Sequence, residues 1–139
     1  MDVCCLNRPF DDLSQDRVYL EAEAILSIIS RCEKGDWTLI SSGAIDYELS
    51  KIQDMDRLEQ VHKIYAVAKE RAILPTDIKQ RIINLQQHGI KHFDSLHVAT
   101  AEAFNADVLL TTDDRFIKAA NRTKLSVRVT NPIQLLIGG

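Results

Sequence analysis

Apolar positions along the chain fall into two alternating kinds of stretch, short β-branched or aliphatic runs and longer segments with three- and four-residue spacing. Met1 to Cys5 is a brief apolar piece interrupted by Asp2, and Asn7 to Asp12 has the turn-forming composition of a loop. From Arg17, the residues Val18, Ala22, Ile25, Ile29 and Cys32 mark one buried helical face, and Gly35 stands just past its end. Trp37 to Ile40 predicts a strand, which Ser41, Ser42 and Gly43 break before capping the next helix. That helix buries Ile45, Leu49 and Ile52, and Glu48 projects beside them. The spacing then predicts a longer helix over 55–72 stopped by Pro75, and another from Thr76 through Ile78, Ile82 and Leu85 to Gly89. In the helix over 93–104, Leu96, Ala101, Ala103 and the two phenylalanines form the expected buried stripe, with Asp94 in the opening turn. Val108 to Leu110 predicts a buried strand ending in Thr111-Thr112-Asp113-Asp114. A helix over 115–121, a strand over 126–130 and a helical turn from Pro132 complete the chain.

Short strands alternating with amphipathic helices predict an α/β protein with a parallel sheet flanked by helices, because parallel strands need such crossovers. With 139 residues, 45% hydrophobic content and no break in composition, a single domain over 1–139 is expected. Cys4, Cys5 and Cys32 form no C-x-x-C pair and predict reduced thiols in a cytoplasmic protein. No charged-then-apolar leader precedes the first helix, and no apolar run reaches membrane-spanning length. A net charge of -3 argues against nucleic-acid binding by bulk charge. It leaves room for a local basic face, since Arg115, Lys118, Arg122, Lys124 and Arg128 follow Asp114 with no further acid. No Gly-rich phosphate loop of the dinucleotide or Walker type is present, and the histidines lack zinc-ligand spacing.

The candidate chemistry lies in the acids. Asp2, Glu48, Asp94 and Asp113 each fall at a strand end or in the early turns of a helix that follows one, so a parallel sheet brings all four to one edge. Taken singly, each has an ordinary alternative: a helix cap or dipole partner for Asp94, a salt bridge for Glu48. Together, at about 5 Å spacing, they would repel by several kcal/mol per pair even at an effective dielectric near 20. An all-oxygen cluster of this kind selects Mg²⁺ or Mn²⁺ and suits phosphodiester hydrolysis.

The segments Asp2 to Leu6, Ser42 to Leu49, Asp94 to Ala101 and Leu110 to Phe116 resemble, in order and spacing, the four motifs of PIN-domain nucleases, and the likeness spans nearly the whole chain. The resemblance implies a PIN-like, flavodoxin-like parallel sheet of about four to five strands and a Mg²⁺- or Mn²⁺-dependent endoribonuclease. Asp2, Glu48, Asp94 and Asp113 would be catalytic and metal-binding, with Asp114 replacing or assisting Asp113. Arg8, Arg115 and Lys118 are then candidates for substrate phosphate, and Thr111 or Thr112 for orienting a ligand. Small single-domain members are commonly VapC-type toxins, which implies an RNA substrate, a protein antitoxin and a homodimer, with the helices from 55 to 88 as the expected dimer surface. A catalytically silent PIN-like module that binds RNA or a protein is the alternative. The departure is at the front, where only Met1 precedes Asp2 and the first strand is truncated. Val3 to Leu6 would supply a shortened strand, another chain would supply the pairing, or the strand would begin upstream.

Overall fold

A computed structural model describes residues 1–138. Helix α1 (Val3–Asn7) and a 3-10 turn (Arg8–Phe10) lead to the long α2 (Asp16–Lys34). Strand β1 (Ile40–Ser42) runs directly into α3 (Gly43–Leu49), followed by α4 (Met55–Tyr65), β2 (Glu70–Ala72) and α5 (Lys79–Gln87). The second half holds α6 (His92–Ala103), β3 (Val108–Leu110), α7 (Asp114–Asn121), β4 (Arg128–Thr130) and α8 (Pro132–Gly138). All strand pairing is parallel, as expected of crossovers through helices.

The local signals explain most boundaries. Gly35 ends α2 in the left-handed region at φ 89°, and its N–H reaches the carbonyls of Arg31 and Cys32. Ser42 leaves β1 extended and its hydroxyl accepts the Ile45 N–H, so strand end and helix start share one residue. Asp113 does the same between β3 and α7, accepting the N–H groups of Arg115 and Phe116.

Four expectations are corrected. Among the described residues the strands form two separate pairs, β1 with β2 and β3 with β4, and not one sheet of four to five strands. Val3 to Leu6 is helical because the Asp2 side chain accepts the Cys5 N–H and starts α1 there; in place of the expected first strand, the Asp2 N–H bonds the Leu110 carbonyl at 2.9 Å. The helix expected over 55–72 stops at Tyr65, and Lys69 turns its N–H to the Leu39 carbonyl, which begins β2 alongside β1. On α6 the buried face is Ser95, Val98 and Ala99 with His97 and Thr100, while Phe93 is exposed and stacks on Tyr47 at 5.7 Å between ring centroids.

Two apolar cores lie on opposite sides of β3. Leu110 packs with Leu6, Ile25, Ile45 and Val61, whereas its neighbour Leu109 packs with Leu85, Val98, Phe116 and Val129. Successive strand residues point to opposite faces, so this alternation defines helices on both sides of the strand layer. The three cysteines are free thiols. Among the described residues no helix is long and apolar enough to cross a membrane.

Candidate metal centre

The end of β3 gathers the acids. Asp2 is almost fully buried, its N–H bonded to Leu110 and its Oδ1 accepting from Cys5 at 3.1 Å. The fully buried Thr111 links two of the acids: its hydroxyl bonds the Asp2 carboxylate, and its Oγ1 accepts the Asp113 N–H at 3.1 Å. Thr111 therefore positions acids on either side of the strand end. Asp94 reaches the same region from the first turn of α6, and Glu48 from the last turn of α3.

The four acids lie close enough for their charges to act on common neighbours. Burial, then the charges of Asp2 and Asp113, push the Asp94 carboxyl up to about 6; His97 opposes this and Glu48 adds to it. Burial raises Asp2 as well, against the hydrogen bonds from Thr111 and Cys5. The Cys4 thiol is pushed up to about 12 by burial and then by Asp2, Asp113, Asp94 and Glu48, so one side chain registers all four negative charges. Among the described residues no arginine or lysine forms an ion pair with any of the four. Glu48 pairs instead with the buried His97. The sequence offered a signal for that histidine, three residues after Asp94 on the same helical face.

Other expected site residues have different occupations. Asp114 holds Arg17 through two bonds of 2.6 and 2.7 Å, which keeps its carboxyl below the ordinary value. Arg8 lies between Asp11 and Glu21 and donates to the Thr112 hydroxyl at 3.0 Å. Glu21, fully buried, also accepts from Arg17 at 3.2 Å and from Asn131. Sequence reasoning missed Glu21, although it falls three residues after Val18 and four before Ile25, inside the apolar stripe of α2. Arg115 and Lys118 are exposed on α7, the helix that Asp113 caps.

Among the described residues no group of three or more His, Cys, Asp or Glu side chains is arranged to hold a metal ion. The donor chemistry nevertheless suits a hard divalent cation: the four carboxylates act electrostatically on the same side chains, and none is paired with arginine or lysine among the described residues.

The family model of the PIN domain matches residues 9–122, and the chain belongs to that family. PIN domains are generally nucleases and usually use Mg²⁺ or Mn²⁺. The matched span includes Glu48, Asp94 and Asp113 and begins after Asp2. Neither the curated proteins nor the solved structures gave a match to this chain.

Proposed function

We propose that the protein is a metal-dependent endoribonuclease whose acids Asp2, Glu48, Asp94 and Asp113 hold Mg²⁺ or Mn²⁺. The observation that carries this is the placement of Asp94 beside Asp2 and Asp113 without an arginine or lysine partner among the described residues, where burial and then those two charges raise its carboxyl. When bound, the ion lowers the pKa of an attacking water and stabilises charge on the phosphate oxygens. Asp2 and Asp113 are held by Thr111 and by the starts of α1 and α7, so they meet substrate already oriented. We assign Asp113 and not Asp114 to this role, because Asp114 is engaged by Arg17. Arg115 and Lys118 are the residues for substrate phosphate, whereas Arg8 is built into the Asp11 and Glu21 network.

The narrower reading, a VapC-type toxin silenced by a protein antitoxin, is supported by the motif resemblance. The exposed Met55, Ile73, Leu74 and Ile83 supply the apolar surface on residues 55–88 that a second copy or an antitoxin would cover. The alternative, a catalytically silent module, is favoured by one observation: Glu48 is turned to His97.

Labelled RNA incubated with the protein and Mn²⁺ decides between them. Cleavage that falls at least about a hundredfold in Asp94→Asn is the expected result. Cleavage unchanged by that substitution, or no cleavage together with a melting temperature indifferent to Mn²⁺, would overturn the nuclease reading.

A further inference from the structure

An apolar slot of about 210 Å³ opens between α3, α6 and the segment that follows β2. Ser42 and Ala72, the last residues of β1 and β2, line it together with Leu74, Leu96 and the rings of Tyr47 and Phe93. It therefore lies at the carboxyl ends of these two strands, the side of an α/β layer on which ligands bind. Pockets for drug-sized ligands are roughly 300 Å³ or larger, so this one suits a single planar ring system.

The rings set its character. Tyr47 and Phe93 lie 5.7 Å apart between centroids with planes inclined at 17°, yet stay 50% and 39% exposed. The Lys51 ammonium stands over the Tyr47 ring at 4.7 Å, and His92 meets Phe93 edge to face at 5.4 Å. Lys51 and Lys91 are exposed, and among the described residues neither forms an ion pair. Aromatic faces fringed by cations are a means of holding single-stranded nucleic acid, because every base has a flat π-face and every link an anionic phosphate. An apolar peptide or a second copy of the chain would cover the rings but leave the cations without a role.

Placement ties the slot to the acids. Tyr47 immediately precedes Glu48 on α3, and Phe93 immediately precedes Asp94 on α6. Consecutive Cα atoms are about 3.8 Å apart and consecutive helical side chains diverge by about 100°, so on both helices ring and carboxylate leave neighbouring faces. We propose that the slot bounded by Tyr47, Phe93 and Leu96 is a base-binding subsite: it takes one unpaired nucleobase of a single-stranded RNA by stacking, beside the phosphate that the acids engage. The inference rests on the nuclease reading for its substrate, but stacking is read by binding and the nuclease by turnover, so each can fail alone.

The test measures binding of a fluorescein-labelled single-stranded RNA by anisotropy, in EDTA and again with Ca²⁺, to the parent, Phe93→Ala, Phe93→Leu and Phe93→Trp. Phe93→Ala and Phe93→Leu should each raise Kd by at least about fivefold, whereas Phe93→Trp, which keeps an aromatic face, should stay within about twofold of the parent. Melting temperatures of the four should agree within about 2 °C, because the ring is largely on the surface. An abasic site walked along the RNA should find one position where loss of the base weakens the parent by the same factor and weakens Phe93→Leu no further. Binding by Phe93→Leu equal to the parent would overturn the proposal, since an apolar contact of the kind a protein partner makes would then fill the slot. So would a parent that binds no RNA in either condition, or a parent dimer that Phe93→Ala dissociates, which gives the rings to a second copy. Base-dependent binding without Mn²⁺-dependent cleavage would uphold the slot and sink the nuclease reading; cleavage with binding indifferent to Phe93 would do the reverse.

Discussion

In the metal-free protein, replacing Asp94 by Asn should stabilise the fold near neutral pH. The ordinary carboxyl value is 3.8, and burial followed by the charges of Asp2 and Asp113 raises it to about 6 in the folded chain. At about 1.4 kcal/mol per tenfold, that gap sets an upper limit near 3 kcal/mol on the cost of keeping Asp94 ionised. Asp94 is only half-buried, so solvent screening reduces the figure to about 1 kcal/mol. Loss of a negative charge from the first turn of α6 subtracts about 0.3–0.5 kcal/mol. The net gain of about 0.5 kcal/mol corresponds to roughly 2 °C in melting temperature for a domain of this size. The sign of the pH dependence follows from proton binding. Between 3.8 and about 6 the folded chain holds a proton on Asp94 that the unfolded chain has released, so this group's contribution improves as pH falls through 6 and is level below 3.8. Melting in EDTA should show Asp94→Asn ahead of the parent at pH 7.5, with the advantage gone by about pH 4. Adding Mn²⁺ at pH 7.5 should reverse the order, because only the parent keeps the full carboxylate set. A variant that melts below the parent in EDTA, with a gap that does not change with pH, would refute the crowding of the acids.

Glu21→Ala removes the shared acceptor of Arg8 and Arg17 from a fully buried position and should cost about 3–5 kcal/mol in urea unfolding; a loss under about 1 kcal/mol would show that the network contributes little. Burial alone would raise the Glu102 carboxyl, but bonds from Arg81 and Ser126 outweigh it and hold the value below the ordinary 4.5. The stability it lends is therefore present above 4.5 and lost as pH falls through the lower folded value, and Arg81→Ala should move the acid-unfolding midpoint, followed by circular dichroism, to higher pH. Gly35→Ala should destabilise by about 1 kcal/mol through its left-handed backbone alone, since an added Cβ meets nothing within 4 Å. Gly35→Asn should cost less in the same thermal melt.

What the sequence made legible was local chemistry. Gly35 and Pro132 each mark an element boundary through groups within four residues, and Ser42 caps the next helix as expected, but the strand expected over 37–40 lies at Ile40–Ser42 and the capping role of Asp113 was not anticipated. The misreadings share a cause in distant partners. Glu70-Arg71-Ala72 has no strand character of its own and becomes β2 only because β1 lies beside it. The stripe drawn through Phe93, Ala101 and Ala103 followed hydrophobicity, whereas the small residues Ser95 and Ala99 are what allow α6 to pack closely. Arg17 and Asp114, 97 positions apart, and Glu48 and His97, 49 apart, meet through tertiary structure that no spacing rule announces.

The acids themselves show why the ordinary and the catalytic reading of a helix-start aspartate do not compete. Asp2 and Asp113 both cap helices, and the bonds from Cys5 to the one and from Arg115 and Phe116 to the other fall on a single oxygen, Oδ1, in each case. Capping thus orients each carboxylate while its second oxygen makes no bond to these amides. Asp94 differs: among the described residues it receives no hydrogen bond, α6 has no side-chain cap, and its first turn presents a charge to Asp2 and Asp113. A cap or dipole role does not account for a carboxylate placed where neighbouring charges oppose it, since those charges outweigh the few tenths of a kcal/mol a helix start returns. On the proposed nuclease reading a cation would offset those charges, so Asp94 is the acid at which substitution is expected to change metal response most.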